Sequence, residues 1–498
     1  MSESSIGQTL LGATYVVCFV AIYIGTIVFA RRASFVVDYT RAGAHTYSAT
    51  QYICASMHTG RLDPRYVIDR LENRHQAKLP ELGINTGRIY SEARRAVRRR
   101  TTFAAISLVV PIWMIAILVS SVADFHRNDF SLFALLKHLS LPLLLMTLIG
   151  FVHAVEVNAY LRRRIIPLAD PFDNDTKQNV SIYGGFLPFA GYGDDQDGWS
   201  LALDVTKAPG ERSVAPRAFE PIELLDHVTR ALEANVDLGD ASDRLFIHGA
   251  RIRDNPLFLH DATSMPNTAL SPKLMRARIG MQDKDGGRHY RVFSTAFGHG
   301  HLFLTYFFRA VVVGNKLFIE LQCFMLMPIN IHYTELNELP VRRGLLYHLG
   351  LLARELAMSP LSWIDGLRIL GTELSRLQTT LAHAVFGDPR DKLKMRQQTY
   401  NYGHSQSLRE SLTARFYSSY FQKLDRDMID KTCQHVIVNS IIDFLDARGI
   451  STEDIRERRV EIFNNGLIVH GGVVNAHQLV VGQKASIRNM QRKLAKAL

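Results

Sequence analysis

The sequence lacks most of the residue patterns that announce a chemistry. Its four cysteines, Cys18, Cys54, Cys323 and Cys433, lie far apart with no Cys-x-x-Cys pair. That spacing excludes a zinc site of the usual kind and any evident disulfide framework, so reduced thiols are expected. No G-x-x-x-x-G-K-[ST] loop, G-x-G-x-x-G turn, G-x-S-x-G elbow, H-E-x-x-H helix or kinase signature occurs, which leaves the common nucleotide, hydrolase and metalloprotease chemistries without their signatures. No cofactor is implied. Charge excess is also missing from most of the chain: of a net +11, +8 falls between Arg31 and Arg100, where 14 Lys or Arg stand against 6 Asp or Glu.

Long apolar runs are what the sequence does have. Of its 498 residues, 47% are hydrophobic and 21% charged, which fits two or three structural units with some membrane-embedded length. Leu10 to Ala30 is 21 residues without a formal charge, Thr101 to Ala123 gives 23 more, and Leu139 to Val155 gives 17. About 20 residues of helix cross a hydrocarbon core. The third run is the shortest; Lys137 at its start would have to snorkel, letting the helix begin near Leu132 with Pro142 in its early turns.

Basic residues flank these runs on one side only: Arg31 and Arg32 after the first, Arg98, Arg99 and Arg100 before the second, Arg162, Arg163 and Arg164 after the third. Retention of Lys and Arg on the cytoplasmic side then predicts a multi-pass plasma-membrane protein with its N-terminus outside and these eight arginines facing lipid headgroups. The second and third runs would form a hairpin, with everything after about Leu161 cytoplasmic. The N-terminal "MSESSIGQT" has no positive charge and no clear cleavage site follows the first run, which reads as an uncleaved anchor. Membrane lipids are the expected partner of the basic segment. Its aromatics are scattered rather than set out as a stacking platform, which disfavours nucleic acid.

Beyond the membrane runs the fold class reads as α+β. From Val180 to Ile331 short β-branched and aromatic runs such as "WSLALDV", "RLFIHGARI", "RHYRVFSTAF" and "KLFIELQCFML" are divided by turn residues. Gly314 and Asn315 predict a two-residue hairpin between His301 to Val313 and Lys316 to Leu326. After Asn337 the period becomes helical, including a long amphipathic stretch from Leu408 to Ala447 that stops at Arg448 and Gly449. The resulting organisation is a transmembrane anchor (1–30), a basic cytoplasmic loop (31–100), a transmembrane hairpin (101–160), a β-rich cytoplasmic domain (161–335), a helical region (336–450) and a short C-terminal β module (451–498). The strand edges of that module and the apolar face before it suggest self-association or a protein partner through the C-terminal region.

The combination of "YGGFLPFAGYG…GWSLALDV", "LFIHGARIRDN", "FFRAVVVGNKLFIELQCFML" and "NNGLIVHGGVVNAHQLVVGQKASI" resembles a group of uncharacterised multi-span membrane proteins of actinobacteria, over most of the chain after about residue 160. The resemblance implies a bacterial plasma membrane and carries no assigned activity.

Candidate sites are few. "IYGGFLPFAGYGDDQDGWSLALDV", Ile182 to Val205, offers Asp194, Asp195, Asp197 and Asp204 as metal ligands, but a calcium loop centred on Gly198 would have Gly193 in its first position, where a carboxylate is needed. A structural turn is the stronger reading, with glycines supplying positive φ. His299 and His301 share a strand face without a third ligand, and His248, Arg251, Arg253 and Asp254 would support acid–base work only if they faced a pocket. Two functions remain: a membrane scaffold or signalling protein without catalysis, favoured by the absence of any catalytic residue set, and a membrane-tethered hydrolase using the Asp194 to Asp204 and His248 region.

The topology gives a direct test. A cysteine placed at Leu498 should react with a membrane-impermeant thiol reagent only after cells are permeabilised; reaction in intact cells overturns the orientation.

Overall fold

The computed structural model describes residues 47–126, 132–168, 178–208, 216–236, 241–253, 255–280, 286–339, 344–397 and 399–457. The first apolar run, Arg31, Arg32, Asp254 and residues 458–498 of the expected C-terminal module lie outside them.

Helices begin well before the second apolar run. α1 (Ala49–Thr59) opens with a capping box in which Ser48 and Gln51 satisfy each other's backbone N–H groups. α2 (Pro64–Glu72) is capped by Asp63 ahead of a proline in its first turn. α3 (Thr86–His126) then runs unbroken through the three arginines and into the apolar run. The segment read as a basic loop is therefore, from residue 47 onward, a folded helical unit. Its apolar residues, among them Tyr52, Ile53, Val67, Ile89, Ala93 and Val97, make one buried cluster while most of the cations stay on outer faces.

α4 (Leu132–Tyr160) returns antiparallel to α3, because Arg99 pairs with Glu156 at 3.2 Å and Phe103 stacks on His153 at 4.0 Å. It ends in a π-turn, Leu161–Ile165. The carbonyls freed there are taken by one side chain: the Gln51 amide donates to Ile165 O at 3.3 Å, Ile166 O at 2.8 Å and Leu168 O at 3.0 Å. At the same base, the buried Glu92 carboxylate accepts from Tyr160 and Arg95 and meets His58 Nε2 at 3.2 Å. Burial alone would raise its pKa, but these partners hold it down at about 2. Thr86–Ser120 and Ser140–Ile165 are the two stretches long and apolar enough to cross a membrane among the described residues.

Six strands form one mixed sheet: β1 (Val180–Tyr183), β2 (Asp194–Asp204), β3 (Ser242–His248), β4 (Arg288–Phe297), β5 (Leu302–Val313) and β6 (Lys316–Leu326), in the order β1-β3-β4-β5-β6-β2. Only β1 and β3 are parallel. The β5–β6 turn falls at Gly314, φ +59°, with Val313 opposite Lys316, as the sequence spacing predicts.

One face of the sheet is covered by α5 (Pro221–Asn235) and a later helix, α10 (Tyr420–Asp446), which pack on each other. Phe293, Leu304, Tyr306, Phe308 and Ile319 meet Leu224, Val228, Ile437 and Ile441 there. Each such side chain is worth roughly 1.5–3 kcal/mol when fully buried. Leu408 to Ala447 is not one helix: α9 (Leu408–Ser411) is a single turn, and α10 starts afresh where the Ser419 side chain caps Phe421 N. The intervening backbone bends back to the sheet, where Ala414 N donates to Pro328 O at 2.8 Å.

The opposite face is covered by the glycine-rich loop itself. Phe189 sits within 5.0 Å, centroid to centroid, of Phe307, Phe324 and Phe246, and Tyr192 packs edge-on against Phe307. The loop can lie this close because Gly191 and Gly193 adopt φ +99° and +89°, and a Cβ at Gly193 would stand 2.1 Å from Met325 O.

Gly193→Ala should therefore cost about 3 kcal/mol or more, while the exposed neighbour Asp195→Asn should stay within about 0.5 kcal/mol. Denaturation of the two variants in detergent checks the order; equal stability would show that the loop tolerates a side chain at Gly193.

Candidate functional site

The residues singled out from the sequence do not converge. Asp194 and Asp195 are exposed at the start of β2, on the sheet edge, whereas His248 ends β3, four strand positions away and, by the pairing register, beyond the opposite end of β4. Asp204 sits at the far end of β2 and pairs with Lys316 at 3.0 Å. His248 Nδ1 accepts from Ala250 N at 3.2 Å and caps a short 3-10 turn. His299 occupies a left-handed turn position, φ +60°, while His301 is buried against Tyr52. Arg253 donates to two carbonyls beyond β6, of Met395 and Gln397, and Arg251 is exposed. No group of three potential metal ligands clusters among the described residues. Of the basic flanks, Arg98, Arg163 and Arg164 are exposed, but Arg99 turns inward over the Tyr160 ring at 4.5 Å and Arg100 donates to Leu62 O.

What the fold does assemble is a cleft of about 1190 Å³ between the sheet and the N-terminal helical unit. Its floor is the face of β3 and β4 opposite α5, presenting Ser242, Arg244, Val292 and Ser294. One wall runs from Arg70 at the end of α2 through Arg74, Lys78 and Glu81 to Tyr90 of α3. The other includes Met275 and Arg276 of α6 (Pro272–Arg276).

Five cations and three carboxylates line this space, and the carboxylates are already engaged. Asp243 accepts from Arg291 at 2.6 Å and meets His289 at 3.0 Å. Glu72 accepts from the Tyr90 hydroxyl. Glu81 accepts from Leu408 N at 2.7 Å and Arg409 N at 2.8 Å. Among the cations, Arg74 pairs with Asp388 and Asp391 and Arg70 donates to Gln406 O. Lys78 and Arg276 are exposed and form no ion pair among the described residues. Arg244 lies over the Tyr192 ring at 6.0 Å, and its Nη1 is buried with no hydrogen-bond partner among the described residues. The Tyr192 hydroxyl, on a residue only 1% exposed, is likewise unpartnered. Burial keeps that phenol protonated, pushing its pKa up, so it can only donate to an anion.

Arg244 and Tyr192 thus line the cleft with buried, unmatched donors, beside two exposed cations, Lys78 and Arg276, that have no ion pair among the described residues. Desolvated donors left unmatched cost about 1–3 kcal/mol each, a cost that an acceptor in the cleft removes. Sequence reasoning missed every one of these residues. Arg244 was readable only as a charge inside a strand run; that it shares a face with the buried Phe246 was the available signal.

The AbeC-like domain family matches residues 198–475, more than half of the chain, and the chain belongs to that family. No curated protein and no solved structure matches it. The matched region supplies the floor of the cleft from β3 and β4 and the wall at Arg276, whereas Arg70 to Tyr90 lie outside it.

The cleft wall contains a titration that can be read. Burial pushes the Glu81 carboxyl up to about 7 against its two N–H donors. A carboxyl raised in the folded state stabilises the fold fully below about pH 4.5 and loses that contribution as pH rises through about 7, on the order of 3 kcal/mol. His404, lowered to about 4 by burial and by Arg70, acts in the opposite sense over nearly the same range. The stability difference between wild type and Glu81→Gln, in which His404 is common, should therefore shift against wild type from pH 4.5 to 7 in denaturant titrations. A pH-independent difference would show that the Glu81 carboxyl is not raised in the folded state.

Proposed function

We propose that this member of the AbeC-like domain family is a multi-pass plasma-membrane protein whose cytoplasmic domain binds an anionic small molecule and works as a signalling or interaction module. The unpartnered Arg244 and Tyr192 donors in the cleft carry the reading. An arginine fork and a phenol O–H are suited to phosphate or carboxylate oxygens, and Lys78 and Arg276 add attraction at the rim. The cleft is large enough for a nucleotide-sized ligand, since sites of this kind hold about 300–1,000 Å³. Membrane placement draws on the two bilayer-length helices, on the one-sided basic flanks and on the expected outside N-terminus. A bacterial membrane, as in the actinobacterial proteins the sequence resembles, fits this reading.

The lining supports binding more directly than turnover. The hydrolase alternative relied on Asp194 to Asp204 and His248, none of which reaches the cleft. Self-association through the C-terminal segment remains compatible with a signalling role.

Inorganic pyrophosphate and ATP, titrated against the full-length protein in detergent, should raise its melting temperature with the logarithm of their concentration, corresponding to about 2.7 kcal/mol of stabilisation at a hundredfold excess over Kd. Arg244→Ala should raise the Kd obtained from that dependence roughly tenfold or more, since a hydrogen bond to a charged group is worth about 1.5–3 kcal/mol. No shift with either anion, or an undiminished one in Arg244→Ala, sinks the proposal.

A further inference from the structure

α7 (Leu345–Phe386) is a single 42-residue helix, and on the turns either side of residues 359–362 it leaves an apolar stripe uncovered. Leu349, Leu352, Leu367, Leu374, Leu377 and Leu381 recur at helical spacings and are each between 38% and 59% exposed. A second side is polar and exposed, with Arg354, Asp365, Thr372 and Thr379. A third side is packed against protein. There Tyr347 accepts from Asn158 at 2.8 Å, Glu355 lies over Gly150 of α4, and Gly366 approaches α3 so closely that a Cβ would stand 2.7 Å from Ser107 Oγ. Small residues at both crossings let the helices approach, as at helix contacts in lipid.

The direction of α7 follows from these contacts. Its start meets the base of α4 at Asn158. Its later turns return to the base of the helical unit, where Glu373 pairs with Arg65, and Arg376 with Asp69 at 2.8 Å. Between those ends it touches α3 at Ala104 and Ser107, one to two turns beyond Arg100. A helix of this length spans roughly 63 Å, about twice a hydrocarbon core, and both of its ends lie on the side of the basic flank. It crosses the hairpin rather than running along it. Close in sequence to those crossings, at Ser107 and Gly150, the two bilayer-length helices carry exposed apolar residues of their own, including Ile106 and Val109 of α3 and Leu148 and Val152 of α4. Arg98, Arg163 and Arg164 stand exposed beside the same level.

We infer that α7 is an in-plane membrane helix: its stripe inserts among the acyl chains of the leaflet bordered by the basic flank, while its polar side faces the headgroups. The occupant of the apolar face is the phospholipid leaflet. A second copy of the chain would have to cover the stripe together with the apolar faces of α3 and α4, whereas a bilayer placed by those helices reaches all three at once. Amphipathic helices of this kind sit about 5–10 Å deep, at the boundary of headgroups and acyl chains. The inference rests on the proposal that α3 and α4 cross the bilayer, and the test separates the two.

Full-length protein carrying Cys18→Ser, with Cys54, Cys323 and Cys433 buried, takes single spin labels at Leu367, Thr372, Leu374, Thr379 and Leu381, and at Ile115 of α3. It is placed in nanodiscs of phosphatidylcholine and phosphatidylglycerol. Accessibility to oxygen, which concentrates in acyl chains, is compared with accessibility to a water-soluble nickel chelate. Along α7 the oxygen preference should oscillate with a period of roughly 3.6 residues, highest at Leu367, Leu374 and Leu381, with loss of chelate access there and its retention at Thr372 and Thr379. Chelate access at the stripe with oxygen preference retained at Ile115 overturns the inference alone. Exclusion of both reagents from the stripe means that a second copy covers it and overturns the inference as well. Chelate access at Ile115 overturns the membrane placement and the inference together. Melting curves matching the unlabelled protein confirm that each label leaves the fold intact.

Discussion

Two carboxylates at one short helix hold the parts of this molecule in register. Glu81, from the N-terminal helical unit, accepts the first N–H groups of α9, and Glu410, from α9 itself, accepts Gly191 N at 3.0 Å and Gly193 N at 3.1 Å from the loop on the sheet. Between them Arg409, fully buried, donates to His301 O and Met327 O at the ends of β5 and β6. A single turn of helix thereby joins helical unit, sheet and glycine loop. Its groups are desolvated, so removing one partner strands the others, and stranding the buried Arg409 ion would cost about 3–5 kcal/mol. Burial lowers the Arg409 pKa to about 10, which still leaves it charged near neutrality.

The cleft is a consequence of that clamp. The glycine loop is pulled down so that Phe189 and Tyr192 fill the aromatic side of the sheet over β5 and β6, and the helical unit is fixed over β3 and β4 without filling the space beneath it. The loop thus delivers Tyr192 beside Arg244, while Asp194 and Asp195 face solvent. Glycine at positions 191 and 193 is required by the approach to Pro80 O and Met325 O, and the same approach exposes both N–H groups to Glu410.

Local pattern was legible where a residue's role depends on its sequence neighbours. Five strand runs, the Gly314–Asn315 hairpin and the bilayer-length apolar stretches at Thr101 and Leu139 all follow from period or length. The cleft was not legible, because Arg244, Tyr192, Lys78 and Arg276 come from four separated segments and only tertiary packing brings them together. The basic segment misled for a related reason: charge density suggested a loop, while Tyr52, Ile53, Ala93 and Val97 recur at helical spacing and decide its fold by burial. Leu408 to Ala447 shows the converse. Its period continues across Ser419, but the capping hydroxyl and the bond from Ala414 N to Pro328 O divide it.

The amphipathic period of α7 was also readable, and what it means depends on the solvent. In a water-soluble domain such a stripe faces the core; here the core is complete without it, and the side of α7 that packs on α3 and α4 is a different one. From the end of α7 the chain passes into α8 (Pro389–Arg396), whose N-cap Asp388 pairs with Arg74 at 3.2 Å and lies 2.9 Å from His75, both beside the cleft wall. Arg74 lines the cleft and faces Asp388 and Asp391 as its only ion-pair partners among the described residues. An anion bound next to Arg74 competes with those carboxylates for the same guanidinium, and the carboxylates are tied covalently to the end of α7. The wall of the cleft and the end of α7 are therefore linked through charge pairs, of which those of Arg74 with Asp388 and Asp391 are the ones that involve a cleft-lining cation.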